Sequence, residues 1–452
     1  MIIRPAFLTF LAAASMYAQA DLSSLTADRF KADLLLVVAH PDDETAAGSY
    51  LARAIFDQHK RLAVVFGTHG NSGGDEVGQQ QAASLAEIRE IEGRRALAYF
   101  GVTNVWFLQG PDTPGQDVLR SLETWDHGRS LGELVRIVRL TRPSVIVTWL
   151  PDYVAGENHG DHQTAGVLAT EAFDIAGDPT QYPEQVTPPR DAKGISNLTE
   201  GLHPWQAEKI YYFSDASHTE FLKNQGPAYA ATDVSPSKNV NYARLAAESG
   251  AFHLTQSDSG YAAAVALQKN DVEHTYFQQP DEFIFGKAYV PGDVTSDIFA
   301  GVQDQPLPYH APPGFHAQAS NEIALELGGP WHFYTFFWRA HALDHLASLV
   351  PPEILAGIST DVFLPLLINN PSSESLSGKL SVELPDGWSQ RPHQSLDFHV
   401  APGETWSGSV TVVAPSRINS NWESIRISAK AGSRAVGSVV VRTQVTRYSL
   451  PQ

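Results

Sequence analysis

The stretch LLLVVAHPDDETA, residues 34–46, joins an apolar run to a dense group of ionisable side chains. The five residues Leu34–Val38 predict a buried β-strand. One imidazole and three carboxylates follow at once, in the sequence HPDDE at residues 40–44. Two interpretations fit this sequence: a polar turn that caps the next helix, or one half of a metal site.

The first third of the chain alternates short β-branched runs with longer amphipathic runs. The runs of strand length are residues 34–38, 62–66, 105–108 and 145–149, and the helical runs are residues 43–58, 79–100 and 131–140. This alternation predicts an α/β fold, with a Rossmann-like, mostly parallel sheet and helices on both faces. Because ligands bind at the carboxyl ends of the strands in such sheets, the turn after residue 38 lies where a site is expected.

The chain changes character after Pro351 and Pro352. Short apolar runs separated by turn signals such as Asp386-Gly387 predict a C-terminal all-β, immunoglobulin-like antiparallel sandwich of about 100 residues. Helices are also expected at residues 242–256 and 338–349. The predicted division is a signal peptide at 1–20, an α/β domain at 21–354 with its core at 33–260 and a Pro-rich excursion at 275–335, and the sandwich at 355–452.

The first 20 residues have the layout of a cleavable secretory signal. An early Arg4 precedes an apolar stretch from Ala6 to Ala14, and the segment ends on the small-x-small sequence Ala18-Gln19-Ala20. An ordinary N-terminal helix or an uncleaved anchor is the alternative. Cysteine is absent, so no disulfide framework is expected. We therefore predict a secreted or periplasmic protein without a membrane span.

Composition narrows the class of partner. The 31 basic and 50 acidic residues give a formal net charge of −19, which repels phosphate backbones and argues against nucleic acid. With 43% hydrophobic residues, the 452-residue chain can bury a large core.

A second motif, NHGDH at residues 158–162, follows the fourth predicted strand. Its two histidines are three residues apart, as are His40 and Asp43 in the first motif. If the sheet brings the two turns together, His40, Asp43 and His162 form a two-histidine, one-carboxylate set with an open position, as catalytic zinc prefers. Asp42 is then left as a free carboxylate.

Each motif alone also has a structural explanation. Asp42 or Asp43 would serve as the N-cap of the following helix, and a single histidine near a strand end is usually structural. Both motifs together, each after a strand of one parallel sheet, favour the metal site.

AHPDDE followed by HGDH resembles the PIG-L, or LmbE-like, family of zinc-dependent de-N-acetylases. The resemblance spans residues 34–256, including the loop THGNSGGDE after the second strand, and it does not cover the sandwich. Gly160 stands where the second motif of the family commonly has proline. The resemblance implies one Zn²⁺ bound by the three residues named above, with Asp42 as the general base that takes a proton from water.

Further roles come from the resemblance alone. His159, oriented by Asp161, would stabilise the oxyanion or protonate the leaving amine; an N-cap role for Asp161 is the alternative. Arg89 matches a family arginine that binds substrate, although an arginine on an amphipathic helix is commonly a surface residue. Some related deacetylases have a tyrosine where this chain has Glu157, which puts a tyrosine-assisted step in doubt, and Tyr153 lies nearby.

Four polar residues are left without an assigned role. His69 ends the second strand and is a candidate to face the site. His253 and Gln256 fall at i and i+3 of a predicted helix and are interpreted as core or surface residues. Glu44 either orients a ligand or favours the first helical turn through the helix dipole.

Two classes of function follow. The first is an exported zinc-dependent hydrolase that removes acetyl groups from an N-acetylated sugar or glycoconjugate. The second is a glycan-binding protein that keeps the metal site without catalysis. A metal-dependent amidase or esterase acting on another substrate differs from the first only in its leaving group. Asp42 favours a hydrolase, since a non-catalytic site would not need a free carboxylate beside its ligands.

Overall fold

The computed structural model describes residues 28–154, 159–187, 201–216, 220–314 and 322–447. The predicted signal peptide and Glu157 lie outside these residues. Within them, no helix combines the length and the apolar character needed to cross a membrane.

A mixed α/β sheet forms the centre of the N-terminal part. The strands of this part are β1 (Leu34–Val38), β2 (Leu62–Thr68), β3 (Asn104–Gly110), β4 (Val145–Trp149), β5 (Lys209–Phe213), β6 (Ala228–Tyr229), β7 (Asp281–Glu282) and β8 (Ile284–Ala288). The main sheet has the order β3-β2-β1-β4-β5-β8, in which β8 alone runs antiparallel to its neighbour. β6 and β7 pair separately. The predicted mostly parallel sheet is confirmed, with one antiparallel edge strand.

The order of the strands determines where in the sheet the candidate site lies. All residues of β1, β4 and β5 are buried, as expected for apolar runs covered on both faces of a parallel sheet. The chain adds β2 and β3 on one side of β1, then crosses to add β4 and β5 on the other. This reversal is a topological switch point, where the turns after β1 and β4 meet and where such sheets bind ligands.

The helices flank this sheet. They are α1 (Gly48–Phe56), α2 (Ala82–Tyr99), α3 (Val118–Thr124), α4 (His127–Thr141), α5 (Gly160–Ile175), α6 (Pro183–Val186), α7 (Tyr242–Gly250), α8 (Ala262–Lys269) and α9 (Pro330–Ala340). The shorter helical segments are 3₁₀ helices at Asp43–Ala47, Val272–His274, Tyr276–Gln278 and Asp344–Leu346 and a π-helix at Ser257–Tyr261.

The predicted limits of two helices are wrong. The helix expected at 242–256 ends at Gly250, because the chain folds back so closely that a side chain there would lie 2.6 Å from the carbonyl oxygen of Ser259. The helix expected at 338–349 instead begins at Pro330 and ends at Ala340. Proline suits the first helical position, and the positive φ of 54° at Ala342 breaks the helix after its last turn.

The C-terminal part consists of mainly antiparallel strands. They are β9 (Ala324–Leu327), β10 (Glu353–Gly357), β11 (Asp361–Asn369), β12 (Leu376–Glu383), β13 (Ser389–Gln390), β14 (Asp397–Val400), β15 (Thr405–Val413), β16 (Asn419–Ala431) and β17 (Arg434–Thr446). They form sheets of order β10-β17-β16-β12-β14 and β13-β15-β11-β9. Apolar residues of both sheets share one buried core, an arrangement consistent with a β-sandwich. An immunoglobulin-like topology stays a prediction.

The segment predicted as a Pro-rich excursion contains regular structure. β8 joins the main sheet through β5, and β9 pairs with β11 of the C-terminal part. β8 is hard to predict because Gly286 interrupts it, where a side chain would lie 2.7 Å from the ring of Tyr212. β9 lies before the predicted boundary at 354/355, and the domain limits stay a prediction.

Candidate active site

Asp43 opens the 3₁₀ helix after β1, and its two carboxylate oxygens have separate partners. Oδ2 accepts three N–H groups, from the backbone of Ala39 and of His40 at 2.9 Å and from Trp149 Nε1 at 2.8 Å. Oδ1 lies 3.6 Å from His40 Nδ1 and 3.4 Å from His162 Nε2. Anchoring of one oxygen therefore leaves the other facing two imidazoles.

Neighbouring side chains orient these two imidazoles. His162 lies in the first turn of α5, and its ring stacks on Trp149 with the centroids 4.2 Å and the planes 7° apart. His40 Nε2 lies 3.4 Å from Asp161 Oδ2, which accepts the N–H of Thr113 at 2.8 Å. A carboxylate behind a histidine is the common partner of a metal-binding imidazole.

One ligand atom from each of His40, Asp43 and His162 lies within 4.8 Å of the others, so these residues form a candidate metal site. The set of His40, His159 and Asp161 is equally close. The first set is favoured because all three of its residues line an open cavity, whereas Asp161 is fully buried. Two imidazole nitrogens and one carboxylate oxygen fit a catalytic divalent ion such as Zn²⁺.

The charges of His40, Asp43 and His162 are complementary. Burial acts to raise the pKa of Asp43, but the imidazoles of His162 and His40 hold it well below its ordinary value. Burial acts to lower the pKa of His40, yet the carboxylate of Asp43 raises it well above its ordinary value. An ionised carboxylate thus lies between imidazoles that favour a positive charge, and a bound metal would displace their protons.

Asp42 precedes Asp43 and is held in a conformation that side-chain-bearing residues rarely adopt. Its φ is 121°. Its N–H donates to Glu44 Oε2 at 3.0 Å, and its carbonyl oxygen accepts from Thr45 Oγ1 at 2.6 Å. Its carboxylate accepts the hydroxyl of Ser259 at 2.6 Å. Contacts to both backbone and side chain are what allow such strain to persist at a functional site.

The acidity of Asp42 differs from that of its neighbour. Burial, with a further contribution from the negative charge of Asp43, raises the pKa of Asp42 to about 6. A carboxylate with a pKa close to neutrality can both accept and release a proton, which is the property of a general base.

Glu44 belongs to a buried pair rather than to the metal set. Its Oε1 lies 2.5 Å from His253 Nε2, and the two residues are 1% and 0% exposed. Burial acts to lower the pKa of His253, but the carboxylate of Glu44 raises it above its ordinary value. Because Oε2 of the same carboxylate accepts the N–H of Asp42, the pair fixes the backbone at Asp42.

His159 caps α5 and faces the cavity. Its Nδ1 accepts the backbone N–H of Asp161 at 3.2 Å, so His159, and not Asp161, is the N-cap of the helix. Burial and the nearby imidazoles of His40 and His162 lower the pKa of His159 to about 4. The neutral ring, with Nδ1 as an acceptor, carries its proton on Nε2. The carboxylate of Asp161 is closer to His40 than to His159, at 3.4 Å against 3.9 Å.

Arg89 is buried, with 6% of its surface exposed, and organises the glycine-rich loop after β2. Its guanidinium donates to the carbonyl oxygens of Gly70, Ser72 and Gly74 at 2.8, 3.0 and 2.9 Å. It also donates to Thr255 Oγ1 and Gln256 Oε1. Together, these five hydrogen bonds occupy all five N–H groups of the guanidinium. Arg89 is therefore not the surface residue that an amphipathic helix suggests, and its predicted contact with substrate stays a prediction.

A cavity of about 710 Å³ opens onto the candidate ligands. Asp42, His159 and Arg89 also line it, together with Asp112 and Gln116. The other residues considered from the sequence lie elsewhere. His69 Nδ1 lies 3.3 Å from Glu90 Oε2, and Tyr153 is buried beside Trp331.

Residues 251–260, AFHLTQSDSG, supply contacts that the sequence did not predict. His253 and Ser259 hold Glu44 and Asp42, and Gln256 contacts Arg89. His253 and Gln256 follow α7 instead of lying on the predicted helix, and Ser259 lies on the π-helix. No local pattern marks them, because their partners are 209, 217 and 167 residues away along the chain.

Comparison with known proteins gives a consistent match. Residues 35–173 match the family model described as PIG-L, GlcNAc-PI de-N-acetylase. A 1D-myo-inositol 2-acetamido-2-deoxy-alpha-D-glucopyranoside deacetylase of Mycobacteroides abscessus is 29% identical over 293 residues, which cover 60% of this chain and 98% of the relative. The protein of the same name from Geodermatophilus obscurus is 34% identical over 166 residues, 33% of this chain and 56% of its own length. This chain therefore spans little more than half of that relative.

Among solved structures, the N,N'-diacetylchitobiose deacetylase from Pyrococcus horikoshii is 18% identical, with a TM-score of 0.38. The match covers 56% of this chain and 83% of that one. Similarity at this level adds nothing to the functional argument. The two motifs, their meeting at the switch point of the sheet and the family match agree: residues 35–173 form a PIG-L family domain.

Proposed function

We propose that this protein is an exported, zinc-dependent hydrolase that removes the acetyl group from an N-acetylated sugar or glycoconjugate. The observation that carries the proposal is the position of Asp42, a carboxylate with a pKa near neutrality held beside a two-histidine, one-carboxylate set. The PIG-L domain and the names of the relatives support de-N-acetylation as the reaction.

The metal would be held by His40, Asp43 and His162. Bound there, Zn²⁺ would supply Lewis-acid chemistry, lowering the pKa of a coordinated water and polarising the acetamide carbonyl. The residues of this chain provide the rest: they orient the substrate, move protons and stabilise charge.

Asp42 is the proton carrier. Its carboxylate takes a proton from the attacking water while the new C–O bond forms, and it passes this proton to the nitrogen as the C–N bond breaks. The products are acetate and a free amine. The hydroxyl of Ser259 holds the carboxylate in place throughout, at 2.6 Å.

His159 stabilises the oxyanion. Its Nδ1 is occupied by the N–H of Asp161, so Nε2–H is the group that can donate into the cavity. A pKa of about 4 leaves the ring neutral at physiological pH, which favours hydrogen-bond donation over protonation of the leaving amine. Asp161 acts from behind His40, and Arg89 shapes the loop that borders the cavity.

The proposal is tested by acetate release from a panel of N-acetylated sugars. Protein loaded with Zn²⁺ is expected to release acetate. A chelator is expected to abolish this activity, and return of Zn²⁺ is expected to restore it. Tight glycan binding without acetate release would favour the non-catalytic alternative. Release from O-acetyl esters but not from amides would favour an esterase. Export is tested separately, by finding whether the mature N-terminus follows Ala20.

A further inference from the structure

The start of α5 is joined to the wall of the cavity at residues 113–116, between β3 and α3, by three hydrogen bonds. They run from the N–H of Thr113 to Asp161 Oδ2 at 2.8 Å, from the N–H of Gly160 to the carbonyl oxygen of Gly115 at 2.9 Å, and from Gln163 Nε2 to the carbonyl oxygen of Gln116 at 2.9 Å. The same end of α5 carries His159 and His162. The wall and these histidines therefore hold one another in place.

Gln163 also connects the start of α5 to α9. Its Oε1 accepts the hydroxyl of Tyr334 at 2.9 Å, and both residues are buried. The carbonyl oxygen of Gln116 can only accept, so the amide nitrogen of Gln163 must face it and Oε1 must face Tyr334. The hydroxyl of Tyr334 thus orients the amide of the residue that follows His162.

The helix that supplies this hydroxyl is anchored in the C-terminal part of the molecule. α9 begins shortly after β9, which pairs with β11. Between β9 and α9, the N–H of Gly328 donates to the carbonyl oxygen of Pro365 on β11 at 2.8 Å. Trp331 packs against the cores of both parts, and the buried aromatic side chains of α9, Tyr334 among them, belong to the α/β core. Tyr334 therefore brings a group fixed by the C-terminal part to the candidate active site.

We propose that Tyr334 is a positioning residue for the reaction centre, which acts through Gln163 on the start of α5 and on the cavity wall. The hydroxyl orients the amide, the amide ties the wall to the helix, and the helix presents His162 to the metal. Tyr334 lies outside the PIG-L domain at residues 35–173, so the C-terminal part of the chain contributes to the site. The inference rests on the proposed function wherever acetate release is measured, whereas metal affinity tests it independently.

The test measures the zinc affinity of Tyr334→Phe, which removes only the hydroxyl. Partners directly behind metal ligands typically contribute about 10- to 100-fold to affinity or activity. Since Tyr334 acts at one further remove, we expect the Kd for Zn²⁺ to rise about three- to tenfold, measured by competition with a chromophoric chelator, and kcat for acetate release to fall by a similar factor. With Co²⁺ in place of Zn²⁺, the visible absorption should change, because it reports the arrangement of the ligands.

Tyr212→Phe is the matched control. The hydroxyl of Tyr212 on β5 lies 2.8 Å from Thr170 Oγ1, further along α5, and both residues are buried. Each variant removes one buried hydroxyl that contacts the same helix, so the free energy of unfolding should fall by similar amounts. Zinc affinity should change in Tyr334→Phe alone. Equal weakening of zinc binding in the two variants would show that Tyr334 contributes only stability and would overturn the inference.

A double-mutant cycle tests the route through Gln163. Gln163→Met, which keeps the length of the side chain without the amide, should weaken zinc binding at least as much as Tyr334→Phe. Addition of Tyr334→Phe to this variant should change the Kd by less than about twofold, because the hydroxyl has lost the amide on which it acts. Effects that multiply would overturn the route. The comparison of the two phenylalanine variants decides the inference even where a Gln163 variant does not fold.

The outcomes separate this inference from the proposed function, because zinc binding needs no substrate. Weaker zinc binding in Tyr334→Phe alone, with no acetate released by the wild type, would support the inference and overturn the proposed function. Unchanged zinc affinity and an unchanged Co²⁺ spectrum in Tyr334→Phe, with acetate released by the wild type, would overturn the inference and leave the deacetylase intact. Failure of the wild type to bind zinc would overturn both.

Discussion

Asp43 and Asp42 are adjacent in sequence and are held by different parts of the fold. Asp43 is fixed by backbone N–H groups of its own turn and by Trp149 on β4, so its position follows from the central sheet. Asp42 is fixed by Ser259 and, through Glu44, by a segment more than 200 residues away. The ligand thus depends on the core, whereas the base depends on long-range side-chain contacts.

Because the two carboxylates are held separately, we expect mutations to separate metal binding from proton transfer. Changes at Asp43 or its anchors should remove the metal and weaken the fold. Changes in residues 253–259 should disturb Asp42 while the metal set stays intact.

Asp43→Ala should have the largest effect. It removes a ligand and leaves the N–H groups of Ala39, His40 and Trp149 without their acceptor, so metal binding should be lost. The free energy of unfolding of the metal-free protein should also fall by about 3 kcal/mol. Metal analysis and urea denaturation measure the two effects. Asp112→Asn, in the same cavity but outside the metal set, is the control, and full metal content in Asp43→Ala would refute the assignment.

His253→Ala should weaken the fold without removing a ligand. It leaves Glu44 as an unpaired buried charge, which typically costs about 3–5 kcal/mol of unfolding free energy. The double variant His253→Gln/Glu44→Gln, which removes the charge together with its partner, should lose less. Urea denaturation of the metal-free proteins compares them, and equal losses in the two variants would argue against a buried ion pair.

Ser259→Ala should act on the reaction alone. Loss of a hydrogen bond to the Asp42 carboxylate should lower kcat about tenfold, with KM and metal content unchanged. Ser84→Ala, at an exposed serine of α2 away from the cavity, is the control. A drop in metal content in Ser259→Ala would show that the base and the ligands are not held separately.

The pH dependence of stability should show the smallest effect. Because the pKa of Asp42 is raised to about 6 in the fold, the folded protein holds this proton more tightly than the unfolded chain, and stability falls as the pH rises from about 4 to about 6. In metal-free protein, Asp42→Asn should therefore be more stable than wild type at pH 7, by on the order of 1 kcal/mol, and equally stable near pH 4. A variant less stable than wild type at pH 7 would contradict the raised pKa.

The sequence predicted those parts of the molecule that depend on local pattern. β1 and β4 have the predicted limits because fully buried parallel strands are continuous apolar runs. The two motifs could be joined because each follows such a strand, and parallel strands bring their carboxyl ends to one edge. The structure brings His40, Asp43 and His162 together as the sequence predicted.

Features that depend on tertiary contact could not be predicted. The early end of α7 reflects the close approach of Gly250 to Ser259, and the role of Glu44 depends on a histidine 209 residues away. Arg89 shows the same limit: its helix suggested a surface residue, yet the folded glycine-rich loop surrounds its guanidinium.

The most direct test is acetate release by the Asp42→Asn variant, measured together with its zinc content. The variant should bind as much zinc as wild type and release acetate about 10²–10⁴ times more slowly, because the amide cannot accept the proton from water. Undiminished acetate release at full zinc content would contradict the assignment of Asp42 as the base. Loss of zinc in parallel with activity would contradict its separation from the ligand set.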